Sequence, residues 1–127
     1  MREICDVTQR KARKAHACDV CGKAILPGSE YIHARSVQDS RYWYNKLHIH
    51  CDAVLEAYAK QAGKGVDYER LYEVGDWLFD TACCKCPQEG ACRLTGQDIL
   101  SCKSALMRIL PPTTLRAALE SVKQNEE

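Results

Sequence analysis

Cys18-Asp-Val-Cys21-Gly22 and, further on, His48-Ile-His-Cys51-Asp52 decide how this chain reads. Each stretch sets two metal-ligating side chains two residues apart, and 26 residues separate the pairs. Zinc takes four ligands, tetrahedrally, from thiolate sulfur and imidazole nitrogen. The spacing puts the sulfurs of Cys18 and Cys21 on one side of a tight turn, and Gly22 supplies the backbone freedom such a turn needs. His48 and Cys51 straddle the start of a helix, where free N–H groups and the helix dipole favour thiolate. His50 competes for the fourth position. It adjoins Cys51, so its side chain is expected to point elsewhere, and His48 is the preferred ligand.

Working outward, Pro27-Gly28-Ser29 marks a turn. Residues 30–37 read as a strand and 41–47 as its partner, with Gln38-Asp39-Ser40 closing the hairpin. The stretch 52–62 is rich in helix formers, and Gly63 suits its stop. His16 and His33 are expected on the surface. Residues 1–17 read as a polar, basic segment. Downstream, Tyr68, Leu71, Tyr72, Gly75, Leu78 and Phe79 predict a helix over 67–80. Another is expected over 98–110, ended by Pro111 and Pro112. Thr113 is placed to cap a last helix with Leu115, Ala118, Leu119 and Val122 on one stripe. The order knuckle, hairpin, ligands at a helix start is that of a treble clef. The fold class is therefore α+β: a treble-clef module over residues 1–64, then a helical four-cysteine module over 65–127, packed together.

The second module carries Cys83, Cys84, Cys86, Cys92 and Cys102. Cys83, Cys86, Cys92 and Cys102 form the best four-ligand set, with Cys84 a substitute for Cys83. A second zinc is expected there, and an iron–sulfur cluster uses the same donors. The chain has nine cysteines, an odd number that forbids complete internal pairing, and Cys5 has no evident partner. The first residues lack the apolar stretch of a signal peptide, and no run of about 18 apolar residues could span a membrane. A reducing, cytoplasmic compartment is expected, where cysteines bind metal more often than they pair.

Formal net charge is +1, with nine Lys/Arg against five Asp/Glu in residues 1–50 and nine against twelve in 51–127. Two filled zinc sites, one with three thiolates and one with four, would bring the total to about −2. That argues against indiscriminate binding to phosphate backbones while leaving a basic face in the first half.

Cys18-Asp-Val-Cys21-Gly-Lys-Ala-Ile-Leu-Pro-Gly28, the aromatic Tyr42-Trp43-Tyr44 and His48-x2-Cys51 together resemble the PARP-type zinc fingers. In those treble-clef-like modules, three cysteines and one histidine support recognition of DNA ends and breaks. The stretch is also similar to small zinc proteins common in bacteriophages and prophages. The resemblance covers about residues 10–60. It implies DNA binding, with Arg10, Lys11, Arg13, Lys14 and Arg35 on phosphates and an exposed aromatic among Tyr31, Tyr42 and Tyr44 stacked on bases.

Four protein ligands close a zinc site, whereas catalytic zinc keeps a position for water. Phosphate-binding loops and hydrolase motifs are absent from the sequence. A non-enzymatic binding protein is expected, its partner nucleic acid. The alternative partner is a protein, met through the stripe of 113–122. A ββα-metal nuclease using His50, Asn45 and Asp52, or an iron–sulfur redox sensor, are the remaining readings.

Overall fold

The computed structural model describes residues 3–63, 65–66, 68, 71–82, 100 and 102–125. The fold is α+β, with a small antiparallel sheet and helices. Strands β4 (Glu30–Gln38) and β5 (Arg41–His48) form a hairpin. Asp39 and Ser40 close it with φ of 52° and 63°. Two successive left-handed residues give a turn whose twist matches that of the flanking strands.

The first correction concerns the N-terminal segment. Glu3–Lys11 is a strand, β1, paired antiparallel along β4, so the sheet order is β1-β4-β5. All nine of its residues are exposed. It is held by main-chain hydrogen bonds to β4, with a bulge between Ile4 and Asp6, and it has no buried face for periodicity to reveal.

Cross-strand partners share a sheet face. Gln9, Ile32 and Leu47 therefore line up on one face, and Thr8, His33 and Lys46 on the other. Ile32 and Leu47 are buried in a core shared with helix α1 (Ile49–Gln61), which contributes Val54 and Leu55. Gly63, with φ of 70°, follows the helix end.

Helix α2 is Tyr72–Ala82, starting later than the 67–80 expected; Tyr68 lies in a bend, while residues 67, 69 and 70 lie outside the described residues. Of the residues that set the period, Tyr68, Leu71, Gly75 and Leu78 are nevertheless buried, so it marked a core-facing run that begins before the helix; the side chains of Tyr72 and Phe79 lie outside the described residues. Helix α3 is Lys103–Ile109, beginning after Cys102, whose backbone is extended. Helix α4 is Pro112–Gln124, with Pro111 at the cap position and no side-chain cap. Thr113 is thus inside the helix. Pro112 opens it instead, because proline's fixed φ suits the first helical position and its missing N–H costs nothing there.

One apolar core joins these elements: Ile25, Leu47 and Val54 belong to the same cluster as Leu78, Leu100, Leu106, Ala118 and Val122. The end of α4 also returns to the first half. Leu26 N–H donates to Asn125 Oδ1 at 2.9 Å, and Glu30 N–H donates to Gln124 Oε1 at 3.1 Å.

Candidate metal centre

Strands β2 (His16–Ala17) and β3 (Ala24–Ile25) form a two-stranded ribbon whose loop carries Cys18 and Cys21. The loop is tight: Gly22 N–H donates to Cys18 O at 2.9 Å, Cys18 N–H donates to Lys23 O at 3.0 Å, and Gly22 has φ of 74°. That left-handed backbone strains any residue with a Cβ. Asp19 fastens the loop to β5. Its Oδ2 accepts from Lys46 N–H at 2.9 Å and from Asn45 Nδ2 at 3.3 Å, and its own N–H donates to Lys46 O at 2.9 Å. This places the two cysteines beside His48, which ends β5, and Cys51, in the first turn of α1.

Ligand atoms of Cys18, Cys21, His48 and Cys51 all lie within 4.8 Å of one another, and all four residues are buried. His48 Nδ1 is 3.3 Å from Cys21 Sγ and 3.7 Å from Cys51 Sγ. A tetrahedral zinc with its usual bond lengths separates a sulfur from an imidazole nitrogen by about 3.6 Å, so the cage fits such an ion. The other imidazole nitrogen, Nε2, lies 3.0 Å from Ala24 O, to which it donates as N–H. That bond leaves Nδ1 with the lone pair a metal needs, the usual outer support of a metal-bound histidine.

The protonation chemistry also points to a cation. Hydrogen bonds from Cys21 and Cys51 draw the Cys18 thiol far below its ordinary range, against the effect of burial. Burial pushes Cys51 well up, and the neighbouring Cys18 and Cys21 add to it. Burial works to lower His48, but its hydrogen bonds with Cys18 and Cys21 prevail and raise it to about 10. Left to itself, the pocket stabilises the Cys18 thiolate beside the His48 imidazolium and resists a thiolate at Cys51. A divalent ion removes that conflict by allowing three thiolates and a neutral imidazole.

His50 is buried but faces away from the cage, with Nδ1 2.8 Å from Ser121 Oγ on α4. Its ring stacks on His48 at 4.6 Å. Sequence reasoning missed Asp19 and Ala24 as supports of the site. Asp19 sits between the two cysteines, where its carboxylate can take main-chain N–H groups; Ala24 acts through its backbone and carried no signal.

Cys83, Cys84, Cys86 and Cys92 lie outside the described residues. Cys102 is half-buried just before α3 and is free.

The basic candidates divide. Arg10 shares the sheet face of Tyr31, His33 and Lys46, whereas Lys11 is on the opposite face. Arg13 and Lys14 are exposed in the segment between β1 and β2. Arg35 pairs with Asp6 at 3.1 Å and lies 5.6 Å from the Tyr42 ring centroid. His33, expected on the surface, is buried instead. As the central-strand residue between Thr8 and Lys46 it is covered by its neighbours, with the Tyr44 ring 5.7 Å away. Tyr31 is likewise buried, under His16, whose ring lies 5.3 Å away. Tyr42 and Tyr44 remain 55% and 58% exposed. Lys46, 3.2 Å from His16 Nδ1, is a further cation on this face that sequence reasoning missed; alternation along β5 with Tyr42 and Tyr44 could have found it.

Among the described residues, no helix is long and apolar enough to cross a membrane. The chain matches no protein-family model, no curated protein and no solved structure.

Proposed function

We propose that this chain is a non-enzymatic zinc protein in which a treble-clef site built from Cys18, Cys21, His48 and Cys51 organises a nucleic-acid-binding sheet. The order of parts supports the treble clef: a knuckle between β2 and β3, a β4–β5 hairpin, then the last ligands across the start of α1. A second metal on Cys83 or Cys84, Cys86, Cys92 and Cys102 belongs to the same proposal, zinc ahead of an iron–sulfur cluster.

One observation carries the functional reading. The face bearing the exposed Tyr42 and Tyr44 also bears Arg10 and Lys46, while Arg35 on the same face is paired with Asp6. Cations that meet phosphates beside aromatic rings that meet bases is the composition of a nucleic-acid surface. The rival partner, a protein bound through α4, has less to grip, because Ala118 and Val122 are buried in the chain's own core. Nuclease chemistry is not favoured either. His50 is engaged by Ser121, and Asn45 donates to Asp19.

The test is fluorescence anisotropy of labelled oligonucleotides, single- and double-stranded, with zinc-loaded protein. Binding that weakens with salt and falls at least fivefold in an Arg10→Glu/Lys46→Glu variant supports the reading. Absence of binding to every probe by folded, zinc-loaded protein overturns it.

A further inference from the structure

The face proposed above has a geometry that selects among nucleic acids. Its rows across β1, β4 and β5 are Arg10–Tyr31–His48, Thr8–His33–Lys46 and Asp6–Arg35–Tyr44, with Tyr42 opposite Val37 beyond them. Cations gather at one end. Lys46 meets His16, and Lys14 is close enough to act on the same imidazole; Arg10 is close enough to act on His33 in the next row. The tyrosines occupy the other end, and both are more than half exposed. Arg35 is held between Asp6 and the Tyr42 ring, so its charge is largely answered within the protein and its guanidinium props the ring. His33, which burial and then Arg10 and Lys46 hold below its ordinary pKa, adds no charge at neutral pH.

Resting on the nucleic-acid reading, we infer that this face binds a single strand, with neighbouring bases stacked on Tyr42 and Tyr44 and its phosphates leading onto Arg10, Lys14 and Lys46. Tyrosine rings on an open sheet engage base faces, and a duplex keeps those faces inside its own stack. Two residues along a strand span about 6.7 Å. That is roughly twice the 3.4 Å step between stacked bases in a duplex strand, so the two rings suit bases drawn apart in an extended strand. A three-stranded sheet about 10 Å across between its outer strands is also broader than the two-stranded ribbon that a major groove admits. Few cations are offered, and the whole-chain charge is only +1. Stacking therefore supplies much of the affinity, and three phosphate contacts give a log–log salt slope of only about −2.

The test compares labelled oligo-dT, oligo-U and a mixed-sequence duplex of equal length, each titrated with full-length zinc-loaded protein. The expected result is at least tenfold tighter binding of a single strand than of duplex, with a salt slope near −2. Tyr44→Ala and Tyr42→Ala should each weaken single-strand binding by about five- to 150-fold, the range given by base–aromatic stacking. Tyr→Phe variants, which keep the ring, should bind like the wild type. Both side chains are exposed, so zinc content and far-UV circular dichroism should not change. Preference for oligo-U over oligo-dT would assign a ribose 2′-hydroxyl contact within the same inference, and equal binding would assign stacking alone. Duplex bound as tightly as single strands, or alanine variants bound like the wild type, overturns the single-strand inference while leaving nucleic-acid binding in place. No binding to any probe removes both.

Discussion

The imidazole of His48 meets Cys21 and Cys51 sulfurs through Nδ1 and the Ala24 carbonyl through Nε2, so its tautomer is fixed by the fold. Loading a divalent ion must take a proton from His48, raised to about 10, and one from Cys51, raised well above its ordinary range. Both stay protonated across neutral pH, so protons compete with metal there and affinity rises as pH rises. These two released protons alone give a gain in affinity of at least about a hundredfold per pH unit. Competition with a chromophoric chelator between pH 6 and 8 measures it, and a flat profile would contradict the assignment. The two histidines also separate by mutation. His48→Ala should abolish tight zinc binding at this site, whereas His50→Ala should keep it. Ser121→Ala leaves the buried His50 without its partner and should cost about 1–3 kcal/mol in urea unfolding, with zinc content unchanged.

At the scale of elements, the β4–β5 turn holds two non-glycine residues in left-handed backbone. Asp39→Asn with Ser40→Gly should therefore raise stability by about 1 kcal/mol, read as a higher urea midpoint at unchanged slope. The hairpin and α1 were legible because each leaves a local mark: Tyr31, Ile32 and Leu47 flank a turn, and Gly63 follows a run of helix formers. The cage residues were legible by spacing alone. β1 was not, because a strand with no buried face has no alternation of apolar and polar residues; what defines it is pairing with β4, from Lys11 opposite Glu30 out to Glu3 opposite Val37, far along the chain. His33 misled for a related reason. It shares its strand face with Tyr31 and Arg35, which reads as a polar face, but a central strand is covered from both sides, here by β1 at Thr8 and β5 at Lys46. The core-facing rhythm of Tyr68, Leu71, Gly75 and Leu78 was readable, though not where its helix begins.

Across the whole molecule, the metal cage and the last helix are parts of one packing unit. His50 follows His48 by two residues and reaches Ser121, while Asn125 and Gln124 hold Leu26 and Glu30. Cys21→Ser should therefore do more than unfold residues 18–62, as zinc-coupled folding requires. It should also loosen α4, raising amide exchange at Ala118 and Val122 together with that of β5. Native-like protection of α4 in that variant would show that the helix docks independently of the cage.

The central claim is that Cys18, Cys21, Cys51 and His48 Nδ1 bind one zinc ion. The most direct measurement is NMR of protein loaded with a spin-half cadmium isotope. The account predicts one cadmium signal with scalar coupling to the β-protons of Cys18, Cys21 and Cys51 and to the His48 imidazole, whose Nε2 carries the proton. Coupling to His50 in place of His48, or no coupling to these three cysteines, would contradict it.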